Sequence, residues 1–255
     1  MNTFFSQHAH CRVRFHDFPG DGEPLVFIHG LGCASSYEYP RIVADPAFRR
    51  RRVILLDLPG SGFSEKPREY AYTTGDQARV VLELFDALAL ERGWLYGHSM
   101  GGAIAIEAAA MAGERLAGLA VSEPNFHPGG GFFSRAVTSH DEAEYVAGAH
   151  VQMIEQESPF WAGSLASNAP WAVWRSAASL VQGGAVDWYA CFLALSKPKL
   201  LIFGEQSLPD ADFASLSERG VPTAVIPDAG HSMSCENPSA LARVLTDFCS
   251  DPTPR

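Results

Sequence analysis

Apolar residues in this chain fall into two kinds of run. The first kind is short and continuous. Leu25 to Ile28 ends at His29-Gly30, and Val53 to Leu56 ends at Asp57-Leu58-Pro59-Gly60. Trp94 to Tyr96, Leu116 to Val121, Lys199 to Phe203 and Thr223 to Ile226 are further runs of this sort. Such runs, bounded by Gly and Pro, predict strands covered on both faces, as in a parallel sheet. Upstream, Cys11 to Phe18 alternates roughly between polar and apolar before the turn Pro19-Gly20-Asp21-Gly22, which predicts a strand in an N-terminal hairpin region.

The second kind has helical spacing. Val80, Val81, Leu84 and Leu88 recur along Thr74 to Leu90, with Thr73 or Thr74 available as a cap. Gly101 to Ala112 reads as a helix of small residues, and Pro238 to Phe248 places Leu241, Val244, Leu245 and Phe248 on one face. The alternation predicts an α/β fold, a mostly parallel twisted sheet with helices on both faces. One stretch, 124–196, breaks the rhythm. It has no clear buried strand and carries Phe126, Phe132, Phe133, Trp161, Trp171, Trp174, Trp188 and Tyr189. It predicts a helical lid inserted over the sheet's carboxyl edge, where open α/β sheets bind ligands. Residues 1–255 are expected to form one domain that includes this lid, with Gly129-Gly130-Gly131 as a hinge or a plain loop.

Composition narrows the classes. With 47% hydrophobic and 19% charged residues, the 255-residue chain can bury a large core. Its net charge of −10 argues against nucleic acid as a partner. The one basic run, Arg49 to Arg52, reads as a solvated loop leading into a strand. Five scattered cysteines without a CxxC pair suggest neither a disulfide framework nor a zinc site. No apolar run approaches a membrane span, and Met1 to His10 lacks the make-up of a secretory signal. The expectation is a cytoplasmic protein with no membrane partner, no metal and no cofactor.

The chemistry starts at Trp94 to Ala103, which reads strand, sharp turn, helix around Gly97-His98-Ser99-Met100-Gly101. A nucleophile on a strained turn needs neighbours without Cβ two residues to either side, so that strand and helix can approach. Ser99 then projects from the sheet edge at a helix N-terminus, where free N–H groups favour an oxyanion. His98 is adjacent to Ser99 and is assigned to packing.

The chain resembles α/β-hydrolase-fold enzymes of the esterase and haloalkane-dehalogenase-like group over nearly its whole length. The markers are His29-Gly30-Leu31-Gly32, Asp57-Leu58-Pro59-Gly60-Ser61-Gly62-Phe63-Ser64, the turn around Ser99, and Gly230-His231-Ser232. Dehalogenases carry Asp at the elbow; Ser99 resembles the esterase side. The fold's chain order puts the histidine last, which selects His231 among nine histidines as the base. His29 resembles the family's structural histidine. The oxyanion hole would use the backbone N–H of Met100, after the nucleophile, and by resemblance that of Leu31.

The third triad member departs from the common pattern. Most relatives place an Asp just after the strand read here as Lys199 to Phe203, but this chain has Ser207 at that position, in Gly204-Glu205-Gln206-Ser207. Some haloalkane dehalogenases carry the acid at the end of the preceding strand, where this chain reads Ser122-Glu123-Pro124. The resemblance therefore implies Glu123 as the acid, with Asp210 and Asp212 as alternatives; Asp228 is read as a turn residue. The expected function is hydrolysis of a small or medium carboxylic ester with an apolar acyl or alcohol part. Thioester, lactone or carbon–carbon bond hydrolysis would use the same residues. A non-catalytic ligand receptor, or a cofactor-free lyase or haloperoxidase-like activity, would share the fold.

Overall fold

A computed structural model describes residues 1–48 and 51–250. Eight strands form one sheet: β1 (Asn2–Ser6), β2 (Cys11–Phe18), β3 (Asp21–Ile28), β4 (Arg51–Asp57), β5 (Gly93–His98), β6 (Leu116–Ser122), β7 (Lys199–Gly204) and β8 (Thr223–Ile226). Their spatial order is β1-β2-β4-β3-β5-β6-β7-β8. The first two strands are antiparallel, and from β4 to β8 neighbours run parallel. All the parallel strands therefore end at one edge.

Side-chain alternation splits the sheet's residues between two cores. Val26, Ile28, Ile54, Leu56, Leu95, Leu119, Val121 and Leu201 face one of them, under the helices Thr74–Ala87 and Met100–Ala112. Leu25, Phe27, Val53, Leu55, Tyr96, Ala120 and Ile202 face the other, which the helix Pro238–Ser250 covers with Leu241 and Leu245. Burial on both faces explains why these strands read as continuous apolar runs.

Between β6 and β7 the chain is helical. Phe132–Val137, His150–Gln156, Pro159–Ala166, Pro170–Gln182 and Trp188–Ala194 are its longer helices. This segment is tied to the core through buried Glu107, whose Oε1 accepts from Trp188 Nε1 at 2.7 Å and from Thr74 Oγ1 at 2.6 Å. Thr74 is thus engaged elsewhere, and Thr73 caps the helix instead, accepting from the Asp76 N–H at 3.1 Å.

Two local expectations need correction, and one strand was not expected. The helix expected over Thr74 to Leu90 ends at Ala87, and Ala89 beyond it turns to φ 48°. Asn2–Ser6 forms an edge strand that its short polar–aromatic sequence did not signal. Within the basic run, Arg51 and Arg52 are not loop: they open β4, and Arg52 pairs with Asp17 at 2.8–3.0 Å. Arg49 and Arg50 lie outside the described residues.

The cap at Thr73 gives a measurable expectation. Thr73→Ala should cost about 1 kcal/mol, while Thr73→Ser should keep most of it. Denaturant unfolding of the two variants checks this; equal losses would show that the hydroxyl does not act as the cap.

Candidate active site

The turn after β5 is held by backbone contacts that leave no room for side chains. A Cβ on Gly97 would lie 2.2 Å from the Gly101 carbonyl oxygen, and one on Gly101 would lie 2.2 Å from that of Ile28. Between them Ser99 sits at φ 53°, a strained conformation for a non-glycine residue. Its N–H donates to the Ser122 carbonyl at 2.9 Å, and its carbonyl accepts from the Asn125 N–H at 3.3 Å. The elbow is thereby fixed to the end of β6, the strand that leads into Glu123.

Glu123 also has a positive φ, 39°, and its N–H donates to the Ile202 carbonyl at 3.0 Å. The side chain turns toward the loop after β8. Its Oε2 lies 2.6 Å from His231 Nδ1, and Oε1 accepts from the Gly204 N–H at 2.9 Å. A carboxylate can only accept, so Nδ1 carries a proton, and in the neutral imidazole Nε2 keeps its lone pair. Burial alone would raise the Glu123 carboxyl. The His231 bond, the Gly204 N–H, the charge of His231 and the Ser207 hydroxyl outweigh it, and the group is held below its ordinary value.

The alternative carboxylates are occupied elsewhere. Asp210 caps the helix Ala211–Glu218 by accepting from the Phe213 N–H at 2.8 Å, and Asp212 lies 3.0 Å from His127 Nε2. Neither is hydrogen-bonded to His231. Among the described residues, the Ser99 hydroxyl has no hydrogen-bond partner; Ser99 and His231 line the same cavity, and His231 is half exposed. Catalytic hydrogen bonds are often loose before substrate arrives.

Two other histidines flank the site. His29 is fully buried, with Leu58 N–H donating to Nε2 at 3.1 Å and Nδ1 donating to the Gly30 carbonyl at 2.9 Å. This fixes the Gly30-Leu31 segment from behind. The Leu31 and Met100 N–H groups have no protein acceptor among the described residues. His98 lies 4.6 Å from His231, ring centroid to centroid, and hydrogen-bonds through Nδ1 to Ser122 Oγ at 2.9 Å. Burial first, then the charge of His231, push it down to about 3, so it stays neutral beside the imidazole.

The cavity has a volume of about 590 Å³. From the 124–196 segment, Phe132, Phe133, Phe160 and Trp161 line it, while Phe126, Trp171, Trp174, Trp188 and Tyr189 do not. Trp174 donates to the His140 carbonyl and Trp171 lies under the Arg68 guanidinium, so those rings pack the segment in place. The sequence reading missed Glu38, at the end of the short helix Ser35–Glu38, which also lines the cavity. Its only signal is a single carboxylate inside the otherwise uncharged stretch His29 to Pro40. Burial pushes the Glu38 carboxyl up, against the Ser234 hydroxyl, the Cys33 thiol and the His231 charge.

Comparison with known proteins agrees with this architecture. The sequence model of the α/β hydrolase fold family matches residues 23–142, and an esterase of Thermogutta terrifontis superposes with a TM-score of 0.79 at 23% identity, covering 97% of each chain. This chain has the α/β-hydrolase fold. Carboxylesterase YbfK of Bacillus subtilis is 25% identical over 91% of this chain and 82% of its own length. A 2-hydroxymuconate semialdehyde hydrolase of Pseudomonas putida is 35% identical, but over 42% of this chain and 38% of its own. The chain spans less than half the length of several such curated relatives. No helix among the described residues is long and apolar enough to cross a membrane.

The Glu38 shift has a sign that stability measurements can read. A carboxyl raised above 4.5 in the folded state binds its proton more tightly there than in the unfolded chain. Stability from it is present below 4.5 and is lost as pH rises through the raised value. Glu38→Gln should therefore gain stability relative to wild type as pH increases across that window, followed by paired thermal melts. A difference independent of pH would mean that Glu38 does not titrate abnormally.

Proposed function

We propose that this chain is a serine hydrolase that cleaves a carboxylic ester through an acyl-enzyme. The observation that carries the reading is the 2.6 Å contact between Glu123 and His231, beside the cavity that Ser99 lines. In the proposed reaction Ser99 Oγ attacks the carbonyl carbon as its proton passes to His231 Nε2. Glu123 keeps the proton on Nδ1 and stabilises the imidazolium. The N–H groups of Leu31 and Met100 receive the oxyanion, and His231 then protonates the leaving alcohol. Water, activated by the same imidazole, releases the acid. These steps require only the chain's own groups and water.

Residues 124–196 act in this reading as a lid, with Phe132, Phe133, Phe160 and Trp161 receiving the apolar part of the substrate. Glu38, Glu123, Asp210 and Asp212 line the cavity, and among its described lining residues there is no Lys or Arg. That charge balance disfavours substrates bearing a carboxylate and favours neutral esters, thioesters and lactones. It speaks against a carbon–carbon hydrolase acting on a carboxylated chain.

A panel of chromogenic esters, thioesters and lactones of graded acyl length tests the proposal. Ser99→Ala should lower kcat by about a thousandfold or more while the protein stays folded, and Glu123→Gln should fall by a similarly large factor. Asp210→Asn and Asp212→Asn should retain most of the activity. A serine-directed phosphonate should label Ser99. Ligand binding without turnover by the wild type would replace this reading with that of a receptor.

A further inference from the structure

His231 stands on an irregular loop between β8 and the short helix Met233–Glu236, and its side chain is half exposed. Packing therefore holds only part of the ring. The backbone of the loop is tied instead, at four successive residues. The Pro227 carbonyl accepts from Asn237 Nδ2 at 2.9 Å, and the Asp228 N–H donates to Glu205 Oε2 at 3.1 Å. The Ala229 carbonyl accepts from the Gln206 N–H at 2.9 Å, and the Gly230 N–H donates to Glu236 Oε2 at 2.8 Å. Asp228 sits at φ 54°, a conformation that a non-glycine residue keeps only when its surroundings over-determine it. The loop also meets the end of β7. A Cβ on Gly204 would lie 2.4 Å from the Gly230 carbonyl oxygen, and the N–H of the same Gly204 steadies Glu123 Oε1.

We propose that Glu205 and Glu236 are positioning residues that clasp the His231 loop and so hold the imidazole against Glu123. Glu205 reaches the loop from directly after β7, and Glu236 from the end of the following helix. Both are exposed, so neither is part of the core, and neither lines the cavity. They act through the N–H groups on either side of Ala229. A carboxylate is a stronger acceptor for an N–H than a neutral group is. Releasing either N–H frees the segment that leads into His231, and a displacement of about an ångström lowers a rate far more than it lowers stability.

The clasp rests on reading His231 as the hydrolase's base, so its test has an arm that needs no turnover. Nitrogen NMR of the imidazole, assigned by its loss in His231→Gln, reports which nitrogen carries the proton at a pH where the ring is neutral. Wild type should show the Nδ1–H form. Glu205→Ala and Glu236→Ala should shift His231 toward the Nε2–H form, and the double variant furthest. Glu205→Gln and Glu236→Gln keep an acceptor oxygen and should recover most of the wild-type signal. In the kinetic arm, each Ala variant should lower kcat on a chromogenic ester about tenfold, with KM and melting temperature close to wild type. Neither should add a further loss in a Glu123→Gln background, where the group that the clasp aligns is already gone. Equal losses in the Ala and Gln variants would overturn the clasp. So would losses that follow the melting temperature or multiply fully with that of Glu123→Gln, or an Nδ1–H population unchanged in the double variant. An Nε2–H ring in the wild type would reject the Glu123–His231 pairing and the clasp with it. An Nδ1–H form that depends on both glutamates, in a protein that cleaves no ester, would support the clasp and reject the hydrolase reading.

Discussion

The arrangement of this molecule depends on a close backbone approach between the end of β5, the helix that follows it, and the end of β3. Gly97 and Gly101 permit that approach, since a Cβ at either would stand 2.2 Å from a carbonyl oxygen. With the backbones packed this closely, Ser99 sits at φ 53° and its N–H donates to the Ser122 carbonyl. The strain at Ser99 is sustained because strands on both sides are fully buried and cannot shift to relieve it. Whatever follows Ser122 is then close to Ser99 in space, and the residue one step on is Glu123.

This geometry gives a physical account of the moved carboxylate. The strands β6 and β7 are parallel neighbours, with Ser122 beside Ile202, so their ends open onto the same edge. A carboxylate after either strand can reach the loop that carries His231. Here Glu123 does so, steadied by the Gly204 N–H, while Ser207 at the other position acts on the Glu123 carboxyl and not on the imidazole. The longer Glu side chain, on a backbone bent to φ 39°, spans the distance from the nearer strand.

Most of the scaffold was legible from local pattern. The parallel strands are short apolar runs because both faces are covered, and the runs Leu25 to Ile28, Val53 to Leu56 and Trp94 to Tyr96 all lie inside strands. The glycines around Ser99 were legible because their spacing follows from sterics alone. Less visible was what depends on partners remote in sequence. The edge strand Asn2–Ser6 exists through its pairing with β2, and Thr74 yields the cap to Thr73 because Glu107 claims its hydroxyl. The aromatics of 124–196 were visible as a group, but which of them line the cavity is decided by helix orientation. Glu38 was invisible for the same reason. Its setting comes from Ser234, 196 positions away, whose hydroxyl donates to it.

Glu38 and Glu123 show how burial and partners divide two like groups in one cavity. Both are poorly exposed, and burial pushes each toward its neutral form. Glu123 has both oxygens engaged, by an imidazole N–H and a backbone N–H, and those bonds favour the anion strongly enough to reverse the effect of burial. Glu38 has only the Ser234 hydroxyl, the Cys33 thiol and the more distant His231 charge acting against burial, so burial prevails. The first group is therefore suited to a fixed charge that holds an imidazole. The second is pushed toward its neutral form. The difference lies in a single backbone N–H and one imidazole, not in the residue type, and it shifts the two carboxyls in opposite directions within a cavity of about 590 Å³.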